Sequence, residues 1–418
     1  MPPLLKIIQT PKMAALLLLG FSSGLPLFLT SSTLQAWMKD ANVDLGTIGW
    51  FSLAGLPYTL KFFWSPLLDR FVPPVLGRRR GWLIITQILL LVSIAPFGWH
   101  NPAQALQLIA LNAILISFLS ATQDIAGDAY RTDILSPHEL GFGASTWVLG
   151  YRIAILISSS LALVLADYLP WSVVYGLMAL LMGVGIVTTL WAPEPASAVQ
   201  PPDSVIEAVK LPFINFFTKF GLTPAFVLLV FILLYRLGDS LVSNMATPFL
   251  LDIGYSKTEI GAVRGTTGFL ATTLGVLGGG LFYTKLGLSI SLWTFGLLQA
   301  LSNLAYYVLS IQSTSAFALT AAINIENFCA GLVTAVFAAF LMSLCDQRFS
   351  ATQYALLSSL MAVGGIVFAS PAGELAKQTG WSSFFLITVV TAIPGLLLLP
   401  LVTRWASPVD TMKILSKD

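Results

Sequence analysis

The sequence predicts an all-α membrane protein, with twelve transmembrane helices arranged as two pseudo-symmetric six-helix bundles. Three observations predict it. First, 56% of the 418 residues are hydrophobic and only 10% are charged, where an average soluble domain carries about 25% charge. Mean hydropathy is +0.84. Second, apolar runs recur between clusters of charge, proline and glycine, each close to the ~20 residues that a membrane crossing takes. Third, these runs fall into two equal groups on either side of one long polar stretch. Such a composition excludes a soluble enzyme and a disordered scaffold. A formal charge of +2 also leaves no basic face large enough to hold nucleic-acid phosphates.

In chain order the spans are expected at about 13–37, 46–69, 81–100, 104–129, 144–166 and 171–191, then 222–250, 258–284, 288–311, 316–344, 351–375 and 381–404. Met1 to Lys12 is short and basic, and no small-residue cleavage site follows it, so the first run is read as a retained span and not a signal peptide. Spans one to six cover 179 residues and spans seven to twelve cover 183, which points to a duplicated six-helix unit. The division is therefore an N-terminal bundle (1–191), a linker (192–221) and a C-terminal bundle (222–418). The linker opens Ala192-Pro193-Glu194-Pro195 and contains Pro201-Pro202, so it starts extended. From Ser204 to Phe220 it turns amphipathic, as a helix lying on a membrane surface does.

Lysine and arginine set the orientation. With the N-terminus inside, Lys6, Lys12, Arg70, Arg78, Arg79, Arg80, Arg131, Lys210, Lys219, Lys285, Arg348, Arg404, Lys413 and Lys417 fall in the cytoplasm, and only Lys39, Lys257 and Lys377 fall opposite. Fourteen against three places both termini in the cytoplasm.

Known chemistries are tested and set aside. Gly20-Phe21-Ser22-Ser23-Gly24 matches Gly-x-Ser-x-Gly, but a nucleophile elbow needs a strand-turn-helix context, and this lies within a helix. The same residues form Gly-x-x-x-Gly, as do Gly261 to Gly265 and Gly275 to Gly279, which favours close helix packing. Cys329 and Cys345 lie ~24 Å apart along one helix, too far for a disulfide. No nucleotide-binding loop and no metal-ligand spacing is present. No catalytic residue, metal or cofactor is expected. His100 and His138 lie in loops, so carboxylates must carry any proton.

Nine ionisable residues fall inside the spans: Lys61, Asp124, Asp128, Arg152, Arg236, Asp239, Arg264, Glu326 and Glu374. Each costs at least ~2.5 kcal/mol at the bilayer centre if it faces lipid, so each is expected to face protein or a water-filled cavity. Glu374 is near enough to a helix end to reach the interface. Lys61 either snorkels or pairs with a carboxylate. Asp124 and Asp128 are one turn apart and share a face. Two carboxylates in low dielectric do not both stay ionised cheaply, which suits a proton carrier. The competing reading is a structural ion pair, Asp124 with Arg152 on the next span. Arg236 and Asp239, three apart, pair within one helix, so structure and function weigh evenly there. Glu326 has no partner in its helix; Arg264 is a candidate, and a second protonatable role is the other reading.

Span one is rich in hydroxyls: Ser22, Ser23, Thr30, Ser31 and Thr33. Most are read as bonding their own helix carbonyls, with Gln35 the best candidate for a ligand. Gln35, Gln123, Tyr151, Tyr235, Asn244 and Asn324 together suit a polar, sugar-like solute. Trp147, deeper on span five, is a weaker candidate for stacking on a sugar. Asp69-Arg70 and Gly77-Arg78-Arg79-Arg80, between spans two and three, form either a topogenic basic loop or charge pairs that lock one transporter conformation.

The chain resembles the AmpG-type muropeptide permeases of the major facilitator superfamily nearly end to end. The matching stretches include Gly20 to Pro26, Thr33-Leu34-Gln35-Ala36-Trp37-Met38, Lys61 to Arg70, Gly77 to Trp82, Ser120 to Ile125 with Asp128-Ala129, and Leu149-Gly150-Tyr151-Arg152. Leu237-Gly238-Asp239, Glu326-Asn327 and Phe349-Ser350-Ala351-Thr352-Gln353 continue it. Tyr130-Arg131 departs from the aromatic-Lys often found there, and Arg is not equivalent to Lys at a coupling site. The resemblance implies the major facilitator fold and the conformational lock at Asp69, Arg70, Arg78, Arg79 and Arg80. It also implies import of anhydro-muropeptides from periplasm to cytoplasm across a bacterial inner membrane, as a monomer, with a link to β-lactamase induction.

On that reading Asp124, Asp128 and Glu326 carry protons, and Arg152, Arg236 and Arg264, with Asp239 beside them, meet the carboxylates of the sugar-peptide. Its partners are the small-molecule substrate, protons and the lipid bilayer. Acetyl-CoA or another amphipathic solute is the alternative cargo, and an uncoupled facilitative carrier the alternative mechanism.

Overall fold

The structure, a computed structural model, describes residues 10–195, 200–312, 315–369 and 371–406. Lys6, Lys413 and Lys417 of the charge tally, and residues 196–199 of the linker, lie outside them. Among the described residues all regular structure is helical. Nine stretches are long and apolar enough to cross a membrane by length and composition, and three departures from regularity account for the difference from twelve. Residues Phe269–Ile311 run as one helix that kinks at Gly287 (φ 75°, ψ 174°), merging spans eight and nine. Only glycine takes that conformation without strain. Span two is a chain of short turns from Leu45–Trp50 to Ser65–Arg70, in a stretch punctuated by Gly46, Gly49, Gly55, Pro57 and Pro66. Span eleven breaks between Ser350–Ala369 and Ala372–Thr379, where Pro371 caps the second piece. Many leucines and valines on outer faces, such as Leu111, Leu180 and Val187, are exposed, which suits an apolar solvent.

The chain forms two compact units. One holds Met1–Ser136, Thr146–Pro212 and Cys345–Leu356; the other holds Pro137–Ser145, Phe213–Leu344 and Leu357–Asp418. The boundary falls inside the linker helix Val205–Phe220, whereas hydropathy alone places the division at the linker's ends.

Each unit repeats the same internal device. Span one is split between Pro11–Leu29 and Ser32–Asp40, and span seven between Leu222–Leu234 and Leu237–Asp252. In the first unit the Trp171 indole donates to Asp40 at 3.2 Å, at the end of the split helix. In the second, Trp381 donates to Asp252 at 2.6 Å. Aromatic clusters back both contacts: Trp37, Phe97 and Tyr175 in one, Phe249, Tyr306 and Phe385 in the other.

Small residues set the helix contacts. A Cβ on Gly24 would lie 2.6 Å from the Tyr151 carbonyl, and one on Gly20 would overlap the Trp147 backbone, so span five seats directly on span one. Gly279 meets Leu332 of span ten in the same way, at 2.7 Å. Gly261 and Gly265 do not pack: nothing lies within 4 Å of a Cβ built on either. In the linker helix, Ala208 and Phe216 are buried while Ile206, Val209, Phe213 and Ile214 are exposed, giving the amphipathic face expected of 204–220.

Candidate transport and coupling site

Span four, Leu106–Ile134, is the backbone of the site in the first unit. Asp124 and Asp128 project from one face, as their spacing requires, but keep different company. Asp128 is held from both sides: Lys61 Nζ lies 3.3 Å from one carboxylate oxygen and Arg131 Nη2 lies 2.8 Å from the other. Lys61 therefore pairs rather than snorkels. Asp124 accepts a hydrogen bond from the Ser23 hydroxyl of span one. The cations whose fields reach it are those of Lys61 and Arg131. Lys61, from the broken span two, forms its ion pair with Asp128.

Arg131 ties the cluster together. It donates to the Tyr354 hydroxyl and lies over the Tyr354 ring at 4.9 Å and the Trp147 ring at 5.4 Å. Trp147 is 4% exposed and wedged against Gly127, so its face meets a guanidinium and not a sugar. Two carboxylates stand among two cations, with Lys61, Asp128 and Arg131 buried and Asp124 half-buried.

Beyond one turn lies a second network. Arg79 donates to Asp133 at 2.6 Å and to Asp69 at 2.9 Å. Asp69 also accepts from the backbone N–H and hydroxyl of Thr352 at 2.8 and 2.7 Å, and Arg79 donates to Ser350 at 2.7 Å. Asp69 therefore sits at the N-terminus of helix Ser350–Ala369, where free N–H groups and the helix dipole favour an anion. Arg78 donates to the carbonyls of Gln347 and Arg348 at 2.9 and 3.3 Å.

The remaining loop cations act elsewhere. Arg80 donates to the Thr189 and Leu190 carbonyls, capping the end of span six, and lies 3.9 Å from Glu194. Burial pushes the Glu194 carboxyl above its usual range against the pull of Arg80. Arg70 lies over the Phe71 ring at 5.7 Å.

The second unit holds an open cavity of about 640 Å³ lined by Arg236, Asp239, Ser240, Ser243, Asn244 and Met361 among others. Arg236 and Asp239 pair at 2.8 Å within the helix turn, as their spacing predicts. Gln299 of span nine donates to the other Asp239 oxygen at 3.0 Å. Arg264 donates to Thr247 at 2.6 Å. Glu326 is buried, and its field meets that of Arg264 at the Tyr306 hydroxyl.

The other predicted ligands differ in placement. Tyr235 is 8% exposed, donates to the Leu292 carbonyl at 2.7 Å and stacks on Phe337. Gln123 is 1% exposed and donates to Ser22 at 3.3 Å. Both side chains are buried and turned to protein partners. Gln35, Tyr151, Arg152 and Asn324 are partly buried. Asp133 and Gln299 carry no signal in the sequence, and Ser350 and Thr352 are marked there only by the family resemblance. Nothing along one helix marks a residue whose partner comes from another.

The profile described as Major Facilitator Superfamily matches residues 16–369. The chain is 49% identical to the anhydromuropeptide permease of Escherichia coli (strain K12) over 397 residues, covering 94% of this chain and 80% of that protein. It is 34% identical to the putative transporter AmpG 4 of Rickettsia felis over 405 residues, covering 94% and 97%. Among solved structures it superposes on the proton:xylose symporter XylE bound to 6-bromo-6-deoxy-D-glucose with a TM-score of 0.69, covering 94% of each chain at 11% identity. It superposes on the transporter FucP in the outward conformation with a TM-score of 0.66, covering 94% and 97% at 13% identity. At these identities the structures speak for the fold.

Proposed function

We propose that this chain, which belongs to the AmpG-type muropeptide permease family of the major facilitator superfamily, is a proton-coupled importer of anhydro-muropeptides. The observation that carries the substrate is the 49% identity to an anhydromuropeptide permease over 94% of the chain. The family's membrane-spanning architecture makes it a multi-pass membrane transporter; we assign it to the bacterial inner membrane, as a monomer with both termini cytoplasmic. The bodies 1–191 and 222–418, joined by 192–221, are proposed to move in alternating access.

Proton coupling is supported by the cluster of buried Lys61, Asp128 and Arg131 around the half-buried Asp124. Protonation of Asp124 removes one negative charge from between two cations, so Lys61 and Arg131 turn fully to Asp128. That redistribution is the step we assign to coupling. Glu326 beside Arg264 and Tyr306 is proposed as a second protonatable group. The lock is assigned to Asp69, Arg78, Arg79 and Asp133 on the first turn of helix Ser350–Ala369, with Arg70 and Arg80 outside it.

Substrate carboxylates are assigned to Arg236, whose side chain is 26% exposed in the 640 Å³ cavity, with Asn244, Ser240 and Ser243 offering hydrogen bonds to sugar hydroxyls. Gln35, Tyr151, Arg152, Arg264 and Asn324 remain proposed contacts. Two measurements test this reading. Purified protein is expected to bind anhydro-muropeptide and not acetyl-CoA, and vesicles are expected to accumulate it only under an imposed inward proton gradient. Tight binding of acetyl-CoA alone refutes the substrate, and accumulation indifferent to collapsing the gradient refutes the coupling.

A further inference from the structure

Among the residues lining the cavity of the second unit, Arg236 is the one cation and Asp239 the one anion. Their side chains pair at 2.8 Å, with 26% of Arg236 and 7% of Asp239 exposed. A substrate carboxylate bound by Arg236 therefore meets a guanidinium whose charge is already balanced. Two carboxylates on that guanidinium would leave a net negative charge in a partly buried site, which is strongly unfavourable. The carboxylate of the substrate must take the place of the carboxylate of Asp239.

The structure shows what Asp239 keeps after such an exchange. Its second oxygen accepts from the Gln299 amide nitrogen of span nine at 3.0 Å, and that partner is neutral. The Gln299 amide oxygen is buried and has no hydrogen-bond partner. One amide thus offers a donor to a carboxylate and, turned over, an acceptor to the O–H of a neutral acid. The elements around Asp239 bring no second cation to the cavity wall. Span eleven faces it with Met361, Ala362 and Gly365, and span twelve lies against Gly238 with the Thr388 carbonyl. The charge of Asp239 reaches Tyr306 of span nine, as do those of Glu326 and Arg264, but Arg264 is engaged with Thr247 at 2.6 Å. A carboxylate released by Arg236 is left with an amide alone, and a buried carboxylate in that position is far better neutral.

We infer that Asp239 takes up one proton when Arg236 takes the substrate carboxylate, so that substrate and proton bind together in the second unit. This linkage rests on the proposed assignment of the substrate carboxylate to Arg236. The exchange balances. Before it, the site holds Arg236 as cation and Asp239 as anion; after it, Arg236 as cation, the substrate carboxylate as anion and Asp239 neutral. One O–H bond forms on the Asp239 carboxyl, its proton drawn from the solvent of the open cavity. The hydrogen bond from Arg236 to Asp239 gives way to one from Arg236 to the substrate. Gln299 holds the Asp239 carboxyl in either charge state.

The test uses full-length protein in detergent, in weak buffer with a pH-indicator dye. Its two ligands are anhydro-muropeptide and the same compound with its carboxylates amidated. Binding of the acid form is expected to take up about one proton per ligand, because the two binding events are linked. Its Kd is expected to rise about tenfold per pH unit wherever Asp239 is charged when free and neutral when bound. The amidated form is expected to take up no proton. Asp239→Asn is permanently neutral, and is expected to bind the acid form without proton uptake, its Kd changing less than about twofold over the same range. Binding of the acid form without uptake, equal uptake with both ligands, or undiminished uptake in Asp239→Asn each overturn the linkage and leave the substrate reading standing. Failure of wild type to bind the acid form at all overturns both. Should Asp239→Asn not fold, the comparison of the two ligands on wild type decides it.

Discussion

Asp124 and Asp128, identical side chains one turn apart, have different surroundings. Asp128 is clamped by Lys61 at 3.3 Å and Arg131 at 2.8 Å, so its charge is fully compensated. Asp124 has a hydroxyl from Ser23 and shares the same cations at longer range. Asp124 is the acid we propose as the proton carrier. Asp124→Asn mimics the protonated state at nearly constant volume. It is expected to abolish gradient-driven accumulation while leaving binding and counterflow largely intact; wild-type accumulation would make Asp124 structural and pass coupling to Asp128 or Glu326. Lys61→Met strands part of the charge on Asp128, and removing one partner of a buried pair costs about 3–5 kcal/mol. Its melting temperature in detergent is expected to fall, and Lys61→Met with Asp128→Asn to recover part of the loss. A double variant no more stable than Lys61→Met would show that the pair does not couple.

At the level of elements, glycine spacing told less than glycine surroundings. Three Gly-x-x-x-Gly pairs read alike in the sequence, yet the structure seats Trp147 and Tyr151 on Gly20 and Gly24, seats Leu332 on Gly279, and leaves Gly261 and Gly265 open. Gly24→Leu is expected to lower the yield of monodisperse protein sharply, since overpacking a tight contact costs about 1–3 kcal/mol or more. Gly261→Leu is expected to match wild type in the same size-exclusion assay. Equal losses in both would mean that the contact with span five does not limit packing. The breaks in spans one, two, seven and eleven were partly legible. Pro57, Pro66 and Pro371 announced interruption, but not that a broken span two would carry Lys61 to Asp128.

For the whole molecule, the count of spans and their division into two groups came from hydropathy, and the paired Trp171–Asp40 and Trp381–Asp252 contacts give the duplication a structural mark that periodicity did not supply. Orientation is testable at the same scale. Single cysteines at Arg78 and Lys257, in an otherwise cysteine-free chain, are expected to react with an impermeant thiol reagent from opposite faces of the membrane. Labelling of both from one face would sink the proposed topology.

The sequence by itself determined the all-α membrane class and some of the pairings between residues one turn apart, though not that of Asp128 with Arg131. Arg236 with Asp239 and the shared face of Asp124 and Asp128 follow from 3.6 residues per turn, which no packing alters. Tertiary structure alone decided partnerships between helices. Lys61 pairs with Asp128; Arg79 joins Asp69 to Asp133; Gln123 turns to Ser22; and Gln87, silent in the sequence, lies near it. The physical reason is that low dielectric fixes only the demand, a partner for each buried charge or amide. Which residue meets that demand depends on how far each helix is rotated, broken or drawn close by a glycine.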